Sequence, residues 1–109
     1  MRIRFFVLMA FLPIVSTRAM CDDNTASITL KDHKFTPAEI HVKANTPTTV
    51  TLKNDDAETE EFDSAALKIE KIVAGQSSGT MRWRPLRPGG YPFMGEFHSQ
   101  TAQGVVIAE

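Results

Sequence analysis

Cysteine is almost absent. Cys21 stands alone among 109 residues, so no intrachain disulfide can form and the fold must rest on its own apolar core. Long apolar runs are also scarce: the longest, Phe5 to Val15, has 11 residues, too few for a bilayer that needs roughly 20. Positive charge is thin beyond the start of the chain. Of the 12 Lys and Arg, Arg2, Arg4 and Arg18 precede the first acid, leaving 9 basic residues against 13 acidic ones. That balance offers no basic face to phosphates, which excludes nucleic acid and anionic lipid as natural partners and favours cations. The Asp-x-Asp-x-Asp-Gly spacing of a calcium loop is missing. So is any nucleophile-base-acid arrangement, and hydrolase chemistry has no support.

What the chain does have begins with an export signal. Arg2 and Arg4 form a basic start, Phe5 to Val15 the apolar stretch, and Ser16, Thr17 and Ala19 the small residues before cleavage. Residues 1–21 are predicted to be a signal peptide and 22–109 the mature domain, released into the periplasm without membrane insertion. Arg18 and Met20 suit a lipid anchor on Cys21 poorly.

Beyond Thr25 apolar and polar residues alternate with period two. Ile28 and Leu30, Ile40 and Val42, Val50 and Leu52, Leu67 and Ile69, Met81 and Trp83, Tyr91 and Phe93, and Val105 and Ile107 form the apolar pairs. Turn residues separate them, among them Asp32, Asn45-Thr46-Pro47, Asn54-Asp55-Asp56, Ala74-Gly75 and Pro85 to Gly90. About seven short strands in one unit predict an all-β sandwich. Phe35, Phe62 and Leu86 are expected to join its core, and Ala57 to Ala66 has room for one helical turn.

Two stretches carry chemistry. From Asn54 to Ser64 there are six carboxylates in eleven positions, an oxygen-rich set suited to hard cations, although a solvated acidic loop has the same composition. Parity ranks its members. If Phe62 points inward, Glu60 shares its face while Glu61 and Asp63 face away, and a carboxylate on the inner face needs a partner or a metal. Glu60 is therefore the first candidate ligand and Glu61 the second, should a bulge reverse the parity.

The other stretch, Tyr91 to Gly104, resembles the copper-binding loop of cupredoxins, Y-x-F-x-C-x-x-H-x-x-x-M-x-G. Tyr91, Phe93, His98 and Gly104 fall in register, while Gly95 replaces the cysteine and Ala102 the methionine. Upstream, Asn54 and Asp56 match the pattern that precedes the first histidine ligand, whose own position holds Glu60. Together with FTPAEI, EEFDS and PGGYPF, the GEFH loop resembles the cupredoxin-like proteins of bacterial periplasmic iron-uptake systems, the EfeO type. The likeness spans about Ile28 to Ile107.

The resemblance implies a Greek-key β-sandwich that binds copper or iron in high-affinity ferrous iron uptake, with a membrane iron permease or its periplasmic companion as partner. Ferroxidase-like assistance to Fe(II) oxidation is part of that implication. It implies His98 as a ligand, brings Glu96 beside the former cysteine position, and brings the turn carrying His33 to the same end of the sandwich. Met94 should face away from Phe93's side and serve only as an auxiliary thioether. His41, between Ile40 and Val42, should face water. Two other functions stay open: a blue-copper electron carrier, for which no thiolate exists after Cys21, and a metal-free acidic docking module for a basic permease loop.

Overall fold

The computed structural model describes residues 23–109, together with Ala10 and Pro13. The predicted signal peptide, 1–21, otherwise lies outside the described residues. Among the described residues nine strands form: β1 (Asn24–Lys31), β2 (Lys34–Thr36), β3 (Glu39–Val42), β4 (Thr48–Asn54), β5 (Glu60–Ser64), β6 (Ile69–Val73), β7 (Ser77–Trp83), β8 (Gly89–Gly95) and β9 (Gln103–Ala108). One turn of 3₁₀ helix, Glu96–His98, follows β8. Among the described residues no helix is long and apolar enough to cross a membrane.

The strands divide into a four-stranded sheet, ordered β2-β1-β4-β7, and a five-stranded sheet, ordered β3-β9-β8-β5-β6. The pairs β1/β4 and β3/β9 are parallel, with the remaining neighbours antiparallel. Alternate residues of the two inner faces bury Ile28, Leu30, Val50, Leu52, Phe62, Met81, Trp83 and Phe93 between the sheets, as packed sandwiches require. Under the end that bears the site lies an aromatic cluster. Phe62 and Phe93 stack with centroids 4.9 Å apart, and Phe35 meets Phe93 edge-on at 5.3 Å. Since Glu60 is two residues before Phe62 and Gly95 two after Phe93, this cluster fixes the floor on which the site is built.

The sandwich has more strands than the alternation indicated. Phe35 lies within the short β2, and 57–66, where a helical turn was possible, contains β5 instead. Leu67 is buried in the turn before β6. In β9 the parity is the reverse of the one expected: Val106 and Ala108 are buried, and Val105 and Ile107 are only half-buried. Parallel pairing with β3 sets this register, matching Ile40 to Val106 and Val42 to Ala108.

Candidate metal centre

Glu60 opens β5 with its side chain on the inner face, 1% exposed beside the fully buried Phe62. Both of its oxygens have partners. Oε1 accepts the backbone amide hydrogens of Phe97 at 2.9 Å and Glu61 at 3.1 Å. Oε2 accepts Nδ1–H of His98 at 2.5 Å. A buried carboxylate is tolerable only with such a full complement of donors. Here Phe97 and His98, two of the three donors, come from the site loop itself.

The loop is tightened by Gly95 N–H donating to the Ala102 carbonyl at 2.8 Å and Ala102 N–H to the His98 carbonyl at 2.9 Å. Gly95 has no room for a side chain, because a Cβ there would lie 2.7 Å from Glu60 Cδ and 2.8 Å from the Ala102 Cβ. The Glu60 carboxyl thus occupies the space into which a residue-95 thiolate would project. A sulfur-ligated copper does not fit these residues.

Since Glu60 holds Nδ1 of His98, the ring's Nε2 faces outward, where it meets Glu58 Oε2 at 2.9 Å. His33 approaches from the β1–β2 turn. Its ring lies parallel to that of His98, with centroids 3.6 Å apart and an interplanar angle of 10°, and its Nε2 is 3.5 Å from the same Glu58 oxygen. His33, Glu58 and His98 therefore offer three ligand atoms within 4.8 Å of one another. Two imidazoles and one carboxylate are a donor set for borderline ions such as Cu(II), Zn(II) or Fe(II). A carboxylate on the far nitrogen of His98 is the usual orienting partner of a metal-bound imidazole.

Chain segments outside the cluster hold these donors in place. The buried Asn54 amide donates to the Glu58 carbonyl at 2.8 Å and to that of Val73 at 3.2 Å, while its oxygen accepts the Asp56 amide hydrogen at 3.0 Å. Asp56 in turn accepts the amide hydrogens of Asp32 at 2.8 Å and His33 at 3.0 Å. Burial raises the Asp56 pKa, but those amides and the imidazoles of His33 and His98 outweigh it and bring the carboxyl below its ordinary value. For His98 the hydrogen bond to Glu60 is the largest influence. It overcomes desolvation and, with Glu58, raises the imidazole above its ordinary 6.5.

The other candidates lie apart from this triad. Glu61 is on the opposite face from Glu60, and Glu96 faces Asp63, whose hydrogen-bonding and charge, with burial and the charges of Glu61 and Glu70, raise its pKa. Met94, 39% exposed, faces away from the buried Phe93. His41 is exposed and bound to Glu109 at 2.7 Å. Glu58 was not singled out from the sequence; it lies in the loop just before β5 and is exposed where Glu60 is buried.

A two-sheet sandwich of this topology is the fold of cupredoxin-like domains. The chain belongs to the cupredoxin-like domain family, whose model matches residues 4–108. It is 44% identical over 80 residues to the uncharacterized protein RP394 of Rickettsia prowazekii (strain Madrid E). That match covers 73% of this chain and 64% of RP394, so the chain spans less than two thirds of that relative's length. Among solved structures it is similar to auracyanin A, a blue copper protein of Chloroflexus aurantiacus, with a TM-score of 0.70 and 15% identity over 81% of this chain and 100% of that one. The metal-binding domain of the Cu(I)-exporting ATPase CopA of Streptococcus pneumoniae D39, solved with Cu(I), gives a TM-score of 0.66 at 15% identity, over 78% of this chain and 84% of that one. At such identities these two likenesses establish the fold.

Proposed function

We propose that this is an exported metal-binding protein that holds a copper ion at His33, Glu58 and His98 and serves the uptake of ferrous iron in the periplasm. The convergence of two imidazoles and a carboxylate at one end of the sandwich, with Glu60 behind His98, carries the reading. Copper is the metal of the folds it resembles. Iron is suggested by the GEFH and EEFDS segments, and export by Arg2, Arg4 and the Phe5 to Val15 run.

In this reading Glu60 keeps the His98 proton on Nδ1, leaving the Nε2 lone pair for the metal. Glu58, a hydrogen-bond acceptor in the apo-protein, would hold the ion through its carboxylate oxygen, and His33 would complete the set from the β1–β2 turn. Bound copper would supply a one-electron acceptor. Ferrous iron is the substrate, and the neighbouring carboxylates favour its ferric form because hard oxygen donors suit the higher charge. The partner is a membrane iron permease or its periplasmic companion.

Calorimetric titration of the apo-protein with Cu(II), Fe(II) and Zn(II) tests the site. His98→Ala and Glu58→Gln should each weaken Cu(II) binding at least tenfold, about 1.4 kcal/mol, and the double variant should lose less than the sum. His41→Ala serves as the control and should bind like the wild type. Wild-type affinity in all four variants would move the metal elsewhere and favour the acidic docking module.

The pH dependence has a definite sign. Because folding raises the His98 pKa above 6.5, its contribution to apo stability is complete below 6.5 and is lost as pH rises through the folded value. Metal needs Nε2 unprotonated, so Cu(II) affinity should fall as pH drops through that same raised value, beginning above 6.5. Apo melting temperature and Cu(II) affinity should therefore have opposite slopes in this window. Parallel slopes would remove His98 from the ligand set.

A further inference from the structure

The β1–β2 turn carrying His33 has an unusual backbone. Asp32 and His33 are both in the left-handed region, with φ of 52° and 59°, a conformation uncommon for residues other than glycine. Two such residues in succession aim both amide N–H groups at one point. Asp56 supplies that point, with Oδ1 taking the Asp32 amide hydrogen at 2.8 Å and Oδ2 that of His33 at 3.0 Å. Asp56 is itself fixed on both sides, since its amide donates to Asn54 Oδ1 at 3.0 Å and its carbonyl accepts the Gln76 amide hydrogen at 2.9 Å.

The same Asn54 side chain binds the Glu58 carbonyl. A single buried asparagine therefore sets the loop that presents one donor and, through Asp56, the turn that presents another. We propose that Asp56 is the positioning residue that brings His33 into the donor set, by clamping the left-handed turn so that its imidazole stacks on His98. The clamp itself is independent of any metal. Its effect on affinity rests on the copper site described above.

Two readouts separate these parts. In the apo-protein the stacked rings should shift each other's imidazole protons upfield, and Asp56→Ala should abolish that shift for both His33 and His98. With Cu(II) as probe, Asp56→Ala should lose at least tenfold in affinity, as His33→Ala does, and combining them should add nothing. Asp56→Asn keeps one acceptor oxygen and should fall between the wild type and Asp56→Ala. It also carries both readouts if the alanine variant fails to fold. Persistence of the stack in the folded variant, or additive losses in the double variant, would overturn the proposal. If His33→Ala binds Cu(II) like the wild type, His33 is outside the donor set and that part of the copper reading fails. The ring protons then decide alone whether Asp56 holds the turn.

Discussion

Gly95→Cys should destabilise the protein and leave it without a blue centre, even though it restores the thiolate of the cupredoxin frame. The introduced Cβ would lie 2.7 Å from Glu60 Cδ, 2.9 Å from Glu60 Oε2 and 2.8 Å from the Ala102 Cβ. Overpacking of this kind costs about 1–3 kcal/mol, and in a domain of this size each kcal/mol lowers Tm by about 4–8 °C. Replacing the carboxylate as well changes the outcome. Glu60→His combined with Gly95→Cys puts an imidazole and a thiolate at the two positions where the cupredoxin frame has them, and the pair should develop the intense thiolate-to-copper absorption that neither change gives alone. Thermal melts and visible spectra of the three variants with Cu(II) provide the check. A stable, blue Gly95→Cys protein would mean that Glu60 moves aside freely.

Glu60→Ala should be the most damaging single change at the site. It strands the amides of Glu61 and Phe97 and the Nδ1–H of His98 without an acceptor, and opens a cavity where a fully buried side chain stood. Loss of one partner from a buried, hydrogen-bonded pair costs about 3 kcal/mol or more, measurable by urea denaturation. Glu60→Gln separates structure from chemistry. Its carbonyl oxygen can still accept the two amides, but its NH₂ faces His98 Nδ1 and drives the ring to the tautomer protonated on Nε2. Stability should then be lost only in part, while Cu(II) affinity falls at least tenfold because the outward lone pair is gone. Wild-type affinity in Glu60→Gln would end the orienting role assigned to this carboxylate.

Period-two alternation made the sandwich legible because β1, β4 and β7 each bury one face. Glu60 and Phe62 were likewise readable as sharing a side. Where alternation is absent, local pattern gives no direction. Val105-Val106-Ile107-Ala108 is apolar at every position, so which pair points inward depends on pairing with β3 and not on local pattern. β5 is missing from the alternating apolar pairs because three of its five residues are acids. Glu58 lies in the loop before β5, where strand parity does not govern orientation. The stack of His33 on His98 was not readable either, since it depends on two left-handed residues and a carboxylate 23 positions from His33 in the chain.

The parallel pairs β1/β4 and β3/β9 also bear on when the site comes into being. Pairing β3 with β9 joins Glu39 to Val105, and such distant contacts make folding slow, because a long loop must close before any contact rewards it. The donors at 33, 58 and 98 belong to three separate crossings between strands, so no fragment of the chain presents the set. A metal ion therefore meets its complete ligand cluster only after both sheets have closed. It cannot seed the nascent fold; it acts on the finished one by mass action, raising apparent stability with the logarithm of free metal concentration above Kd. Refolding rates should then be insensitive to Cu(II), and unfolding rates should fall as Cu(II) rises.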